Sequence, residues 1–219
     1  MNYFQLKYNL KSLYNRLEYN SFTGNQLIKK IRKEFPFSEC IINPCYTLSL
    51  TDNEYDITGC YIPWLDMKGL PCIEIEIWLP KFREDYELSK DNFDRNAWEQ
   101  LVFDLLSVMG HEFVHMHQAR NRHFAPGKRF RSKMNNKEIK EFQEYLGIPD
   151  EIDAYSYSAA AQMAWFLPKV SDISETSVYS WYTKAFKKND KVFLMFEKKT
   201  KKYYNLLKRQ YNETIRHSN

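Results

Sequence analysis

His111, Glu112, Phe113, Val114 and His115 set two imidazoles four residues apart with a carboxylate next to the first. On an α-helix this spacing brings both rings to one face about one turn apart, where they can bind a single metal ion. Glu112 lies about 100° further round the helix from His111, beside such an ion and not on it, where it can hydrogen-bond a water the ion holds. Zinc suits two imidazoles, and coordination lowers the pKa of water towards about 7. The expected chemistry is hydrolysis by a zinc-activated water, with Glu112 as general base and the same ion polarising the carbonyl under attack.

Such a site needs a helix to carry it, and Asp94 to Asn121 reads as one long helix with Ala97, Leu101, Leu105, Val108 and Phe113 among its apolar positions. Gly110 interrupts it at about 1 kcal/mol relative to alanine, which points to a close backbone approach there. His117 faces away from the motif, whereas Gln118, three residues after His115, shares its face.

Upstream, Tyr3, Leu6, Leu10, Leu13 and Leu17 form the stripe of an amphipathic helix. A shorter helix follows, with Thr23 as N-cap, Leu27, Ile28 and Ile31 as its buried face and Pro36 past its end. Residues 40 to 80 change texture. Short β-rich runs (Cys40 to Ile42, Tyr46 to Leu50, Tyr55 to Ile62, Cys72 to Leu79) are punctuated by Asn-Pro, Asp-Asn and Lys-Gly-Leu-Pro, the pattern of a small sheet. In the last run Ile73, Ile75, Ile77 and Leu79 alternate with Glu74, Glu76 and Trp78, so one face is buried and the charged face suits a strand near an edge.

Downstream of the motif, residues 122 to 136 form a basic loop or short helix carrying Arg122, Lys128, Arg129, Arg131 and Lys133. Lys137 to Leu146 is a helix with Ile139, Phe142 and Leu146 inward and Gly147 as its cap. Pro149 opens another helix that runs to about Leu167, and a further helix spans about Val192 to Tyr211 with Val192, Phe196, Tyr203 and Leu207 on its stripe.

This order of helix, small sheet, extended last strand, HExxH helix and second helix resembles the zincin metallopeptidases over about residues 20–167, with the HExxH pentad as the specific motif. The resemblance implies an α+β fold: a small mixed sheet packed on the HExxH helix and a helical carboxyl-terminal part. In that family the strand before the HExxH helix borders the cleft and pairs with an extended peptide, which maps onto Ile73 to Leu79.

An open zinc site needs a third protein ligand. Glu151, in Pro149-Asp150-Glu151-Ile152-Asp153-Ala154, resembles the gluzincin branch, whose second helix carries a Glu ligand followed by small residues; here Ala154, Ser158 and Ala161 follow on its side. Asp153 is a second candidate, or a partner that orients a histidine. His123 is the third. The stretch Ala125-Pro126-Gly127-Lys128-Arg129-Phe130 is similar to the His-Gly-x-x-Phe segment of SprT/Spartan-like proteases, but Pro126 stands where the ligand would be and proline cannot bind metal. Glu151 is therefore the expected ligand.

The 219 residues are 43% hydrophobic and 16% aromatic with 6 glycines, a globular composition that excludes wholesale disorder. No apolar run reaches the roughly 18 residues of a membrane span, and the amino terminus lacks an export signal's apolar region, so a cytoplasmic protein is expected. Cys40, Cys45, Cys60 and Cys72 show no CxxC spacing and read as reduced thiols. The net charge of +4 is uneven: Trp181 onward holds 11 Lys and Arg against 3 Asp and Glu. That division frames residues 1–180 as a zincin-like domain and 181–219 as a basic helical extension that could meet nucleic acid or another anionic partner.

The expected function is a zinc metallopeptidase acting on protein or peptide. Two alternatives are a non-catalytic binding protein of a nucleoprotein or virion assembly and a SprT-like protease acting on DNA-bound protein. Heavy use of Lys, Asn, Tyr, Phe and Ile fits an AT-rich genome, such as that of a virus or phage.

Overall fold

The architecture is mixed α/β and mostly helical. A computed structural model describes residues 22–23, 29, 33, 41–48, 56–69, 72–79, 87–88, 95–165 and 172–217. The helix expected over Tyr3 to Leu17, the apolar face at Leu27, Ile28 and Ile31, and Cys40 lie outside these residues. The chain divides into two units, Met1–Glu112 and Phe113–Asn219, with the boundary inside the helix that carries the histidine pair.

In the first unit, strand β1 (Phe22–Thr23) pairs antiparallel with β5 (Glu87–Leu88), so Thr23 stands in a two-residue strand. The main sheet has three strands: β2 (Ile41–Leu48), β3 (Asp56–Tyr61) and β4 (Cys72–Leu79), in the order β2-β4-β3. β4 runs parallel to β2 and antiparallel to β3, with Gly59 opposite Ile75.

Two expectations are corrected here. β4 is the central strand, hydrogen-bonded on both sides and so closed to an extended peptide; among the described residues the edges are β2 and β3. Alternation in CIEIEIWL does report a buried face, since Ile73 and Ile75 are fully buried while Glu74 is exposed. One polar face is compatible with any position in a sheet that is covered on one side only. The Asn43-Pro44 pair, read as a break, lies within the continuous β2. A strand partnered on one side can carry a proline because it has N–H groups that no ladder needs.

Helix α1 (Pro63–Asp66) is a single turn opened by Pro63, and α2 (Arg95–Asn121) is the expected long helix. Gly110 is buried within α2 and the helix continues through it. A close approach is seen at Gly59 of β3, where an added methyl would collide with Val108 Cγ1 and stand 3.0 Å from Glu112 Cγ. A residue without a side chain at that point in the sheet lets the Glu112 turn of the helix come down on it.

The second unit is helical. α3 (Lys137–Leu146) starts at Asn136, whose side chain accepts from the Ile139 N–H at 3.1 Å. Of its expected inward residues only Leu146 is buried; Ile139 and Phe142 are 39% and 37% exposed. Gly147 caps α3 with ordinary right-handed backbone, φ −83°, so no left-handed turn calls for glycine. Space does: a methyl at Gly147 would run into the Phe130 ring.

α4 (Pro149–Trp165), α5 (Ser177–Ala185) and α6 (Lys191–His217) complete the unit. Its core gathers Leu146, Ile152, Ala159, Val178, Tyr182, Phe186, Val192, Phe193 and Phe196. Tyr182 and Phe196 stack 4.0 Å apart and nearly parallel, and the Tyr182 hydroxyl donates to the Leu146 carbonyl at 3.1 Å. Small residues bring α4 and α6 close, and Ser156 Oγ reaches the Phe196 carbonyl of the neighbouring helix at 3.2 Å. Residues after 180 therefore carry the aromatic centre of this core, while Lys198, Lys201 and Lys202 stay exposed. Among the described residues no helix is long and apolar enough to cross a membrane.

Phe196→Ala removes a fully buried ring and should destabilise the second unit by about 3–5 kcal/mol. Denaturant unfolding followed by far-ultraviolet circular dichroism checks this; a loss below about 1 kcal/mol would show that the stacked pair is not central to the core.

Candidate metal centre

Two helices supply the site. α2 continues past His111 and Glu112 to His115 and Gln118, and the first turn of α4 presents Asp150, Glu151 and Asp153. His111, His115 and Glu151 each offer a ligand atom, and these atoms all lie within 4.8 Å of one another. His111 is 7% exposed, and the side chains of His115 and Glu151 are 20% and 14% exposed.

The described distances fit an ion. His115 Nε2 lies 3.3 Å from Glu151 Oε1. Two atoms each about 2.0–2.1 Å from one ion and set at a tetrahedral angle are themselves about 3.3 Å apart. The tautomer fits as well. Gln118 Nε2 donates to the Asp150 carbonyl at 3.1 Å and towards Asp153 Oδ2 at 3.4 Å, which turns its oxygen to His115 Nδ1 at 3.0 Å. Nδ1 is then the protonated nitrogen, and the Nε2 lone pair faces the Glu151 carboxylate. A lone pair facing a carboxylate is a favourable arrangement when a cation lies between them, and two imidazoles with one carboxylate are the donors that zinc and related metals take.

The other candidates are placed apart from this group. Asp153 binds Lys199 Nζ of α6 at 2.5 Å, so its carboxylate serves as a partner to Gln118 and Lys199. His123 is exposed, in a left-handed turn with φ 49°, and Pro126 is exposed beside it. Arg122 clasps Asp150 through two contacts of 2.9 and 2.8 Å, which leaves the exposed Lys128, Arg129, Arg131 and Lys133 as the outward charges of the basic loop.

Tyr145 is a site neighbour with no periodicity or motif to mark it in the sequence. Its hydroxyl lies 3.0 Å from that of Tyr155 and hydrogen-bonds Glu151. Desolvation, then Tyr155 and the Glu151 charge, raise it above the usual phenol range. Tyr155 in turn packs edge-on against Trp181 at 5.6 Å.

Glu112 is 8% exposed and its Oε2 accepts the Tyr61 backbone N–H at 2.7 Å. The next amide, Ile62 N–H, bonds the Cys72 carbonyl of β4 at 3.0 Å, so by strand alternation the Tyr61 N–H points away from β4. Glu112 thus takes up a hydrogen-bond position on the outer side of β3. The Tyr61 hydroxyl donates to buried Asp66 at 2.5 Å, fixing the same residue from its other end.

The charge of Glu112 is felt at Cys60, whose thiol is raised by burial first, then by Glu112 and by Glu74. Cys60 and Cys72 are both free thiols. At pH 8 iodoacetamide should label Cys60 more slowly in the folded protein than in the unfolded chain. Glu112→Gln removes one source of that elevation and should speed the labelling; peptide mapping that finds equal rates would show that Glu112 carries no charge near the thiol.

Comparison with known proteins adds no relative from which a role could be carried over: no protein-family model, curated protein or solved structure matches the chain.

Proposed function

We propose that the chain is a zinc-dependent peptidase in which His111, His115 and Glu151 hold the metal and Glu112 is the general base. The observation that carries this reading is the convergence of the three ligand atoms within 4.8 Å, with the Glu112 carboxylate on the same turn of α2 as His111. When bound, zinc supplies a Lewis acid and lowers the pKa of water towards about 7.

The remaining work belongs to the chain's own residues. Tyr61 N–H holds Glu112 Oε2, which limits the carboxylate's rotation and assigns Oε1 to the proton taken from water. Glu112 then hands that proton to the leaving amine, so one group acts as base and acid in turn. Gly59 matters to this because any side chain there would push on Glu112 Cγ. An extended peptide needs a strand edge, and of the two edges of the described sheet β3 is the one that ends at Glu112.

The base distinguishes a hydrolase from a binding protein, since a purely structural metal site needs none and fills its fourth position with protein. Glu112→Gln preserves shape and leaves an acceptor for Tyr61, so it should keep fold and metal while lowering turnover of a peptide library by about 10²- to 10⁴-fold. His111→Ala should lose the metal itself. Equal turnover by Glu112→Gln and the parent contradicts the mechanism; no turnover by the parent on any peptide favours a binding role.

A further inference from the structure

We propose that Gln118 is a positioning residue that selects the metal-binding tautomer of His115, and that Asp153, pinned by Lys199 of the carboxyl-terminal helix, aims it. The proposal rests on the metal-binding part of the reading above and does not require peptidase activity.

An amide side chain offers one accepting and one donating end, and either can face a histidine. Gln118 has its choice made for it. The Asp150 carbonyl at 3.1 Å and Asp153 Oδ2 at 3.4 Å are both acceptors, so they claim the NH2 group and leave Oε1 for His115 Nδ1 at 3.0 Å. Were the amide reversed, its NH2 would meet Nδ1, the proton would move to Nε2, and the nitrogen facing Glu151 could no longer bind a cation.

Asp153 is itself restrained. Its Oδ1 meets Lys199 Nζ at 2.5 Å, and Tyr203, one turn further along α6, also hydrogen-bonds its carboxylate. Lys199 and Thr200 turn inward at this point of a helix whose Lys198, Lys201 and Lys202 are exposed. The series Lys199, Asp153, Gln118, His115 therefore runs from the carboxyl-terminal helix to a metal ligand through contacts of 2.5, 3.4 and 3.0 Å. Groups that orient a ligating histidine in this way typically change metal affinity by about 10- to 100-fold when removed.

The test measures zinc affinity of the full chain by competition with a chromophoric chelator, alongside thermal unfolding of the metal-free proteins. Gln118→Met, nearly the same shape without polar atoms, should bind zinc about 10- to 100-fold more weakly. Gln118→Glu loses the donor contacts to Asp150 and Asp153 but keeps an acceptor towards Nδ1, so it should weaken zinc binding clearly less than Gln118→Met. Parent-like affinity in Gln118→Met, or equal weakening in both variants, overturns the proposal.

Asp153→Ala should weaken zinc binding more in the parent than in the Gln118→Met background, where only the loss of its charge remains to be felt. The Asp153 charge acts on a cation in both backgrounds and cancels in the cycle, so full additivity overturns the aiming role. In ¹⁵N spectra the His115 ring should show the Nδ1–H form in the metal-free parent and lose that preference in Gln118→Met; an unchanged ring in the variant also overturns it. Tight zinc binding with the expected coupling and no peptide cleavage would support the relay while contradicting the peptidase, and a parent that binds no zinc would contradict both.

Discussion

Nucleophilic atoms do not gather without compensation. Two imidazoles and a carboxylate whose donor atoms lie within 4.8 Å of one another, most of their surface withdrawn from water, form a concentration of electron density that burial makes costly unless positive charge is shared among them. The surrounding structure is arranged around this constraint. Gln118 presents an oxygen to the His115 Nδ1–H, Tyr145 donates to Glu151, and Lys199 balances Asp153 one step further out. Each neighbour stabilises the ligand-competent form of the group it touches, and Lys199 and Arg122 place their charges on Asp153 and Asp150.

Two glycines serve the same end by different means. Gly59 lets α2 settle on β3 so that Glu112 meets the Tyr61 N–H, which ties the carboxylate to a sheet and not to a mobile loop. Gly147 admits the Phe130 ring at the end of α3, immediately before Pro149 opens the helix that bears Glu151. Neither has a positive φ; in both cases the requirement is space. The first turn of α4 is then held by Arg122 on Asp150 and by Gln118 on the Asp150 carbonyl, from the residues just after the histidine pair.

How much of this was legible in the sequence follows the range of the interactions. The histidine pair, its helix and the helix opened by Pro149 are local patterns, and the structure places α2 and α4 within about one residue of their expected starts. Glu151 was one of three candidates, with Asp153 and His123, and only the fold brings its carboxylate to the histidine pair. Strand order was not, because alternation in CIEIEIWL is the same for an edge or a central strand; only pairing with β2 and β3 decides it. The stripe of Ile139 and Phe142 suggested burial, but a stripe reports amphipathicity and not the existence of a partner. Tyr145 and Lys199 carry no motif at all. Their roles come from contacts with residues 6 and 46 positions away, which neither spacing nor composition records.

X-ray absorption at the zinc K-edge of the purified chain reads the coordination of the metal itself. One zinc per chain is expected, with an inner shell of nitrogen and oxygen at about 2.0–2.1 Å, the outer-shell scattering of two imidazoles, and loss of one imidazole contribution in His115→Ala. A shell containing sulfur near 2.3 Å would move the metal to the cysteines, and a zinc-free protein that takes up none when the metal is added would contradict the site itself.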